Sequence, residues 1–420
     1  METFLDKVNS FIWSGGLVGL LLLTGALYTI KLKGIQLRLV SFLLGQRREK
    51  PRNAGLSQRK TVCMSLGAAM GTGNITGVAA ALACGGPGAI FWMWLSAFLG
   101  IALVYAENSL ASLYADDESK GPMAYISKGL GARKLAAFFA LMCTGAALGM
   151  GGMVQVNAFT ESLGSCISIR PLFLAAVIFI LILAVTSGGV QRIGSAAQLL
   201  LPAAAAAYTL ICAAVLLRNH SAVPGAFAGI FSSAFGSKQA VGGLSGYALS
   251  RIISTGLRRG IFSNEAGLGS SPILHSAAGN SSSDMQGMWS MFEVFFDTFF
   301  CCTLTAVVIL CAAPDMSVET ALSCVLGRFA PTFLSAELCV FAFCTIIGWY
   351  YCGETAFTYL THGRFSAVFC LVFAAAASSG AVFSAKSVWT LSDIFNGLMA
   401  FPNLLALILL CGRVKPYKAR

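Results

Sequence analysis

Charge is what this sequence has least of. Only 11% of its 420 residues are Asp, Glu, Lys or Arg, where a water-soluble domain carries about 25%. A chain of this length cannot cover itself with a solvated surface on that supply, which excludes an ordinary soluble enzyme or binding module. Histidines number three, and His220, His275 and His362 show no H-E-x-x-H or other metal spacing. There is no G-x-S-x-G elbow and no glycine-rich phosphate loop in a strand-to-helix setting. Gly85-Gly86-Pro87-Gly88 is a turn after an apolar span. His275 near Ser270 and Ser271 reads as a hydrogen-bonded side chain, since a triad demands far more geometry than proximity. The chain therefore reads as no enzyme, with no organic cofactor and no histidine- or cysteine-built metal centre. Among fourteen cysteines there is no C-x-x-C pair. Most, including Cys63, Cys84, Cys143, Cys212, Cys301, Cys302, Cys344 and Cys370, lie in apolar stretches and read as small packing residues.

What is there is hydrophobic: 57% of residues are apolar and mean hydropathy is +0.77. The apolar residues fall in stretches of about 18–25, long enough for a helix to cross about 30 Å of hydrocarbon. An all-α membrane protein of about eleven spans is expected, near 11–30, 62–84, 88–114, 136–163, 171–187, 196–217, 242–279, 287–312, 337–360, 365–384 and 389–411. Glu2 and Asp6 against Lys7 do not make the basic start of a cleaved signal. The run from Phe11 to Ile30, followed by lysines, reads as a first span.

The net charge of +11 belongs to the loops. Lys31, Lys33, Arg38, Arg47, Arg48, Lys50, Arg52, Arg59 and Lys60 crowd one inter-span segment, and Arg413, Lys415, Lys418 and Arg420 form the tail. That is the positive-inside pattern, and it leaves no solvated basic face for nucleic acid. It puts the N-terminus outside and the tail in the cytoplasm, with loops 115–135, 188–195 and 361–364 on the cytoplasmic side.

Two spans are unusual. Span 62–84 has Gly71-Thr72-Gly73-Asn74 at its middle, and glycine costs a helix about 1 kcal/mol relative to alanine. Span 242–279 is too polar for a lipid-facing helix, with Arg251, Arg258, Arg259, Glu265 and a cluster at Gly260, Gly267 and Gly269. Close helix packing explains Gly145 and Gly149; it does not explain Asn74 beside glycines. Irregular backbone at membrane depth is tolerated only where it is buried or lines a cavity, and paired breaks in two halves mark an inverted repeat around a midplane site. The whole chain then forms one membrane domain: an extra helix at 11–30, a first five-helix repeat over 62–217 and a second over 242–411. At such a break, the freed amides of Thr72 and Gly73 suit a carboxylate, and the carbonyls of Gly67 and Met70 suit a sodium ion. A passive channel is the alternative from another class, but both breaks lie in one chain and no ring of charge is visible.

Ionisable groups inside a bilayer cost at least about 2.5 kcal/mol and are functional candidates. Here they are Glu107, Glu265, Glu293, Asp297, Glu354 and Asp393. Glu107 and Glu354 are expected to form structural pairs with arginines such as Arg251, Arg258 or Arg259, or to sit at the interface. Asp297 and Glu265 are candidates to carry a coupling proton.

Several segments together resemble the alanine/glycine:cation symporter family, within the amino acid-polyamine-organocation superfamily of leucine-transporter-like 5+5 folds. They are AAMGTGNITGVA (68–79), GGPGAIFWMW (85–94), GGMVQVNA (151–158), GGVQRIG (188–194), RGIFSNEAGLGSSPI (259–273), FEVFFDTFFCCTLTAVVIL (292–310) and GWYYCGETA (348–356). The resemblance implies import of alanine or glycine driven by sodium, or else by protons, across a bacterial inner membrane. It implies that Thr72, Gly73 and Asn74 bind substrate carboxylate and line the ion path. Gln155 is implied as a polar contact, although Gly152 stands where that family has asparagine. Trp349 resembles the aromatic wall that keeps the pocket small, Phe262, Ser263 and Asn264 face the cavity, and Thr345 joins Gly67 and Met70 around the ion.

Overall fold

The computed structural model describes residues 2–13, 15–45, 55–116, 118–164, 166–167, 169–235, 245–278, 282–383 and 385–417. The basic residues Arg47, Arg48, Lys50, Arg52, Lys238, Lys418 and Arg420 lie outside them. Among the described residues all extended structure reduces to one isolated parallel bridge, Leu56 with Ala278, and the rest of the regular structure is helical.

Among the described residues seven helices are long and apolar enough to cross a membrane: Phe4–Lys31, Gly88–Tyr114, Arg133–Gly164, Gly189–Arg218, Ser283–Ala312, Val318–Thr361 and Val388–Leu409. Shorter apolar helices are Ile35–Leu44, Thr76–Gly85, Pro171–Thr186 and Ser366–Ser379. Starts are set by local chemistry. Ser57, Ser282 and Ser317 each accept a hydrogen bond from a backbone amide three residues on, at Lys60, Met285 and Thr320. Pro171 opens its helix at a position that needs no amide donor. Residues 188–195, expected as a loop, are mostly helical, because helix Gly189–Arg218 begins at Gly189 after a turn at Ser187 and Gly188.

The burial pattern is that of a bundle in lipid. Trp349, Tyr28, Tyr105, Tyr125 and Phe139 are fully buried inside. Helices Pro171–Thr186 and Gly189–Arg218 turn Leu172, Phe173, Ile180, Leu199, Leu210 and Leu217 outward. In water such a rim would be a large exposed apolar patch; against acyl chains it needs no cover.

The basic connections gather at one end of the bundle. Lys31 donates to the carbonyl of Cys411, and Arg38 to that of Tyr417, so the first hairpin and the tail meet. At the opposite end the indole of Trp13 donates to the carbonyl of Asp393 at 2.8 Å, and Trp92 donates to Ala234 at 3.1 Å.

Two helices are interrupted. Helix Gln58–Ala69 stops, Met70 and Gly71 leave helical geometry, and Thr72–Asn74 forms a single tight turn before Thr76–Gly85 resumes. Helix Ser245–Asn264 ends likewise, and Ser270–His275 resumes after five irregular residues. Glu265, Gly267 and Gly269 take φ of 53°, 85° and 88° there, the left-handed region where glycine carries no Cβ penalty. The bases of the two interrupted segments meet where the Leu56 amide donates to the Ala277 carbonyl at 2.9 Å.

Candidate functional site

Two continuous helices loosen beside these interruptions. Arg133–Gly164 is π-helical over Ala147–Val154, and Ser283–Ala312 over Phe295–Cys302. Such bulges inside an α-helix are frequent at functional sites because they release backbone groups and re-aim side chains. Gln155 follows the first bulge and Asp297 lies in the second.

The first interruption is surrounded by polar atoms. Gln155 Oε1 accepts from the Thr72 amide at 3.3 Å and from the Thr72 hydroxyl at 3.2 Å. Gln155 Nε2 is anchored on the Met150 carbonyl at 3.2 Å. Thr345 donates to the Gly67 carbonyl at 2.9 Å. Between these groups sits Gly71: a Cβ there would lie 2.8 Å from Gln155 Oε1 and 2.9 Å from Thr345 Oγ1. Gly73, two residues on, has no atom within 4 Å of where its Cβ would be. The turn is pinched shut on one side and open on the other. Met70 is buried and its amide still bonds to Leu66, at 2.7 Å.

Asn74 faces away from Gln155. Its Nδ2 donates to Asp297 Oδ1 at 2.7 Å. The other carboxylate oxygen of Asp297 accepts from Ser263 at 2.8 Å and from Thr298 at 2.9 Å. Asp297, fully buried, thereby ties the first interrupted segment to the helix that leads into the second. One helical turn earlier, Glu293 repeats the device: Oε2 accepts from Ser65 at 2.7 Å and Oε1 meets His275 Nε2 at 2.9 Å. His275 also bonds Gln286. Residues four apart share a helix face, so one helix clasps both broken elements at two levels. His275 is thus held by Glu293 and Gln286, while Ser270 donates to Glu265 and Ser271 accepts from Asn108.

Carboxylates hold the second interruption itself. Glu265 accepts from Ser270 and, at 3.0 Å, from the buried indole of Trp349. Glu107 accepts from Asn403 and from the Gly267 amide at 3.3 Å, and Asn403 donates to the Gly267 carbonyl at 2.9 Å. The expectation that Glu107 and Glu354 pair with arginines is corrected here. Glu107 is satisfied by an amide side chain and a freed backbone amide, and Glu354 by Ser366. The freed backbone of a broken helix supplies donors that the sequence alone does not reveal.

Of the three consecutive residues expected to face one cavity, each goes its own way. Phe262 lies tilted against Trp389 with ring centroids 5.8 Å apart, Ser263 reaches Asp297, and Asn264 Oδ1 caps the Ala266 amide at 3.0 Å. Successive helical residues point about 100° apart, so this divergence is geometric. Thr72, Gln155 and Thr345 do come together around Gly71, as do Asn74 and Ser263; Gly73 lies on the open side, and Trp349 stands with Glu265. Asn403 was missed as a candidate. Its only signal is an amide side chain after Pro402 in an otherwise apolar helix end. Asp297 stands out as an acid inside an apolar run, and Glu265 as an acid within the polar, glycine-containing span.

Comparison with known proteins adds the following. The family model described as sodium:alanine symporter family matches residues 1–418. An uncharacterized transporter of Haemophilus influenzae is 39% identical, covering 97% of this chain and 93% of the relative. A sodium/alanine symporter of Methanococcus maripaludis, AgcS, is 37% identical, over 98% and 95%. A probable sodium/glutamine symporter of Bacillus subtilis, GlnT, is 36% identical, over 98% and 88%.

Proposed function

The chain belongs to the sodium:alanine symporter family and is a multi-pass membrane transporter rather than an enzyme, and from that premise we propose that it imports a small neutral amino acid, alanine or glycine, together with sodium. The observation that carries this reading is the turn at Thr72–Asn74, with Gln155 and Thr345 converging on one side and open space beside Gly73 on the other. The amides freed where helix Thr76–Gly85 restarts favour a carboxylate. The Gly67 and Met70 carbonyls, with the Thr345 hydroxyl, are hard oxygen donors for sodium. Asn74 and Ser263 complete the lining, and the Trp349 indole walls the pocket so that it suits methyl or hydrogen side chains.

The working cycle in this proposal is alternating access by a 5+5 inverted repeat of about eleven spans, with residues 11–30 as an extra helix and repeats over 62–217 and 242–411. The chain sits in a bacterial inner membrane with its N-terminus outside and its tail in the cytoplasm. The gathering of Lys31, Arg38 and the tail at one end of the bundle supports that orientation. The family match and the sodium/alanine relative support that choice of substrate. The relative named a probable sodium/glutamine symporter makes a larger neutral amino acid the competitor to test beside alanine.

A second reading, coupling to protons, is favoured by one observation. Among the described residues Asp297 and Glu265 are held by neutral donors and by no arginine or lysine, so each keeps hydrogen-bond partners whether or not it carries a proton. Proteoliposomes loaded without sodium and diluted into sodium with labelled alanine separate the two. Uptake that follows the sodium gradient and survives collapse of the pH gradient supports sodium. Uptake that needs only the pH gradient transfers the role to the acids, and uptake that needs neither rejects both.

A further inference from the structure

Helix Ile35–Leu44 is apolar on two faces, and protein covers one of them. Lys33 and Gly34 take φ of 55° and 64°, a left-handed turn that folds the chain back after the first span. Gln36 then donates to the Thr29 hydroxyl at 2.8 Å and to the Phe98 carbonyl at 3.0 Å. Ile35, Leu39 and Phe42, three and four residues apart, are buried against the bundle. Phe42 meets Trp289 and Tyr417 edge-on, with ring centroids 5.6 and 6.0 Å away. Leu37, Val40 and Leu44 repeat that spacing on the opposite face and are 80%, 64% and 85% exposed. At 1.5 Å per residue the helix is roughly 15 Å long, about half of a hydrocarbon core. Too short to cross, apolar outside and placed where the basic connections gather, it lies along the membrane surface with that face among acyl chains.

The rim of this surface is cationic. Lys33, Arg38, Arg413 and Lys415 are exposed, on a hairpin and a tail that are pinned together. Lys31 donates to the Cys411 carbonyl and Arg38 to that of Tyr417. The Tyr105 hydroxyl lies 3.2 Å from the Lys415 carbonyl and 3.2 Å from Asp284, the acid at this corner. Among the described residues none of these cations forms an ion pair within 4.0 Å. Like charges held side by side in this way call for an anion from outside the chain.

We infer that this corner docks an anionic phospholipid of the cytoplasmic leaflet, its phosphate among Lys33, Arg38, Arg413 and Lys415 and its acyl chains along Leu37, Val40 and Leu44. Guanidinium and ammonium groups suit a phosphate, and each cation near an anionic leaflet is worth about fivefold in affinity. The apolar face beside the cations serves a lipid and not a free phosphate. The docked lipid steadies helix Ser283–Ala312, because Phe42 packs on Trp289, one turn before the Glu293 that holds both interrupted segments. The inference rests on the orientation proposed above, with the basic end in the cytoplasm.

Phosphatidylglycerol and phosphatidylcholine with the same acyl chains are the probes. Native mass spectrometry of delipidated full-length protein, titrated with each, should show one phosphatidylglycerol retained at least about tenfold more tightly than phosphatidylcholine. Lys33→Gln, Arg413→Gln and Lys415→Gln together should bring the two lipids within about threefold of each other. Lys120→Gln, Arg133→Gln and Lys134→Gln, which remove the same charge from the neighbouring loop, should leave the preference intact. Leu37→Asn with Leu44→Asn should weaken both lipids alike. Equal loss from the two triple substitutions overturns the site, because the attraction is then spread over the whole basic end. So does equal retention of both lipids by the unaltered protein, or displacement of the lipid by excess glycerol phosphate. In proteoliposomes, phosphatidylglycerol should raise maximal alanine uptake at least about threefold and leave the alanine KM within about twofold. The first triple variant should not respond, and an unaltered protein indifferent to phosphatidylglycerol overturns the coupling to helix Ser283–Ala312. Lipid bound as expected without cation-driven uptake in any membrane instead defeats the proposed function. Cleavage of the tail by trypsin added outside intact spheroplasts defeats the orientation alone.

Discussion

The two helix interruptions solve the same problem in opposite ways. At 70–75 the chain leaves the helix without any left-handed residue, neutral groups from Gln155 and Thr345 close one side, Asp297 holds only the Asn74 side chain, and one flank stays open at Gly73. At 265–269 three of five residues are left-handed, one of them not glycine, and two carboxylates, Glu107 and Glu265, hold the exposed backbone and its neighbours. The open flank at Gly73 leaves room for a ligand beside the turn, while Gln155 holds the Thr72 amide. A left-handed loop bonded on all sides is a fixed corner. The first interruption thus presents the binding surface in our proposal, and the second carries the mechanical restraint, with Asp297 and Glu293 joining them.

The sharpest way to break that contrast is to compare two glycines of the first turn. Gly71→Ala places a Cβ within 2.9 Å of both Gln155 Oε1 and Thr345 Oγ1. Overpacking of about 1–3 kcal/mol corresponds to an uptake loss of about 5–150-fold, with membrane insertion retained. Gly73→Ala meets nothing within 4 Å; its fold is undisturbed, and any change shows in which amino acids compete. Equal loss from both substitutions, measured as labelled alanine uptake per mole of inserted protein, removes the distinction between a pinched side and an open one.

How much of this was legible beforehand follows from range. The Gly71–Asn74 interruption was visible because its glycines and amide side chain break an apolar run locally. The second was placed in the right span, but Gly260 belongs to unbroken helix. There it lets Ser245–Asn264 pack against Met93 and Ser96, while Glu265 supplies a left-handed residue where no glycine announces it. The acids were recognisable as expensive and therefore functional. Their partners were not, since Asp297 finds Asn74 across 223 residues and Glu107 finds Asn403 across 296. Periodicity shows that a side chain is buried, and only packing shows what it meets.

A smaller effect tests the fixed corner. Trp349→Phe keeps an aromatic ring but removes the donor to Glu265, leaving a buried acceptor short of one bond at a cost of about 1–3 kcal/mol. Thermal stability in detergent is expected to fall, and alanine to remain preferred over bulkier competitors. Trp349→Ala removes the wall as well, so bulkier neutral amino acids gain as competitors. If the Phe variant broadens selectivity as far as the Ala variant does, the indole shapes the pocket through Glu265 and not through its bulk. Unchanged selectivity in both takes Trp349 out of the site.

The smallest effect belongs to a charge pair outside both interruptions, and it calibrates the others. In the loop after helix Gly88–Tyr114, Lys128 and the Ser119 amide hold the Asp116 carboxyl down at about 2. The ordinary value is about 3.9, so the charged form is the one the fold favours. Its stabilisation is complete at neutral pH, begins to fade as pH falls through the ordinary value, and is gone below about 2. Because both side chains are more than a third exposed, at 39% and 46%, solvent and salt screen the pair to about 0.5 kcal/mol or less. Asp116→Asn should therefore lower the melting temperature only slightly at pH 6, less at pH 3, and scarcely at all in about 1 M salt, where the screening length shrinks to about 3 Å. A loss comparable to that from Trp349→Phe would mean that this loop carries restraint too, and the division of labour between the two interruptions would have to be redrawn.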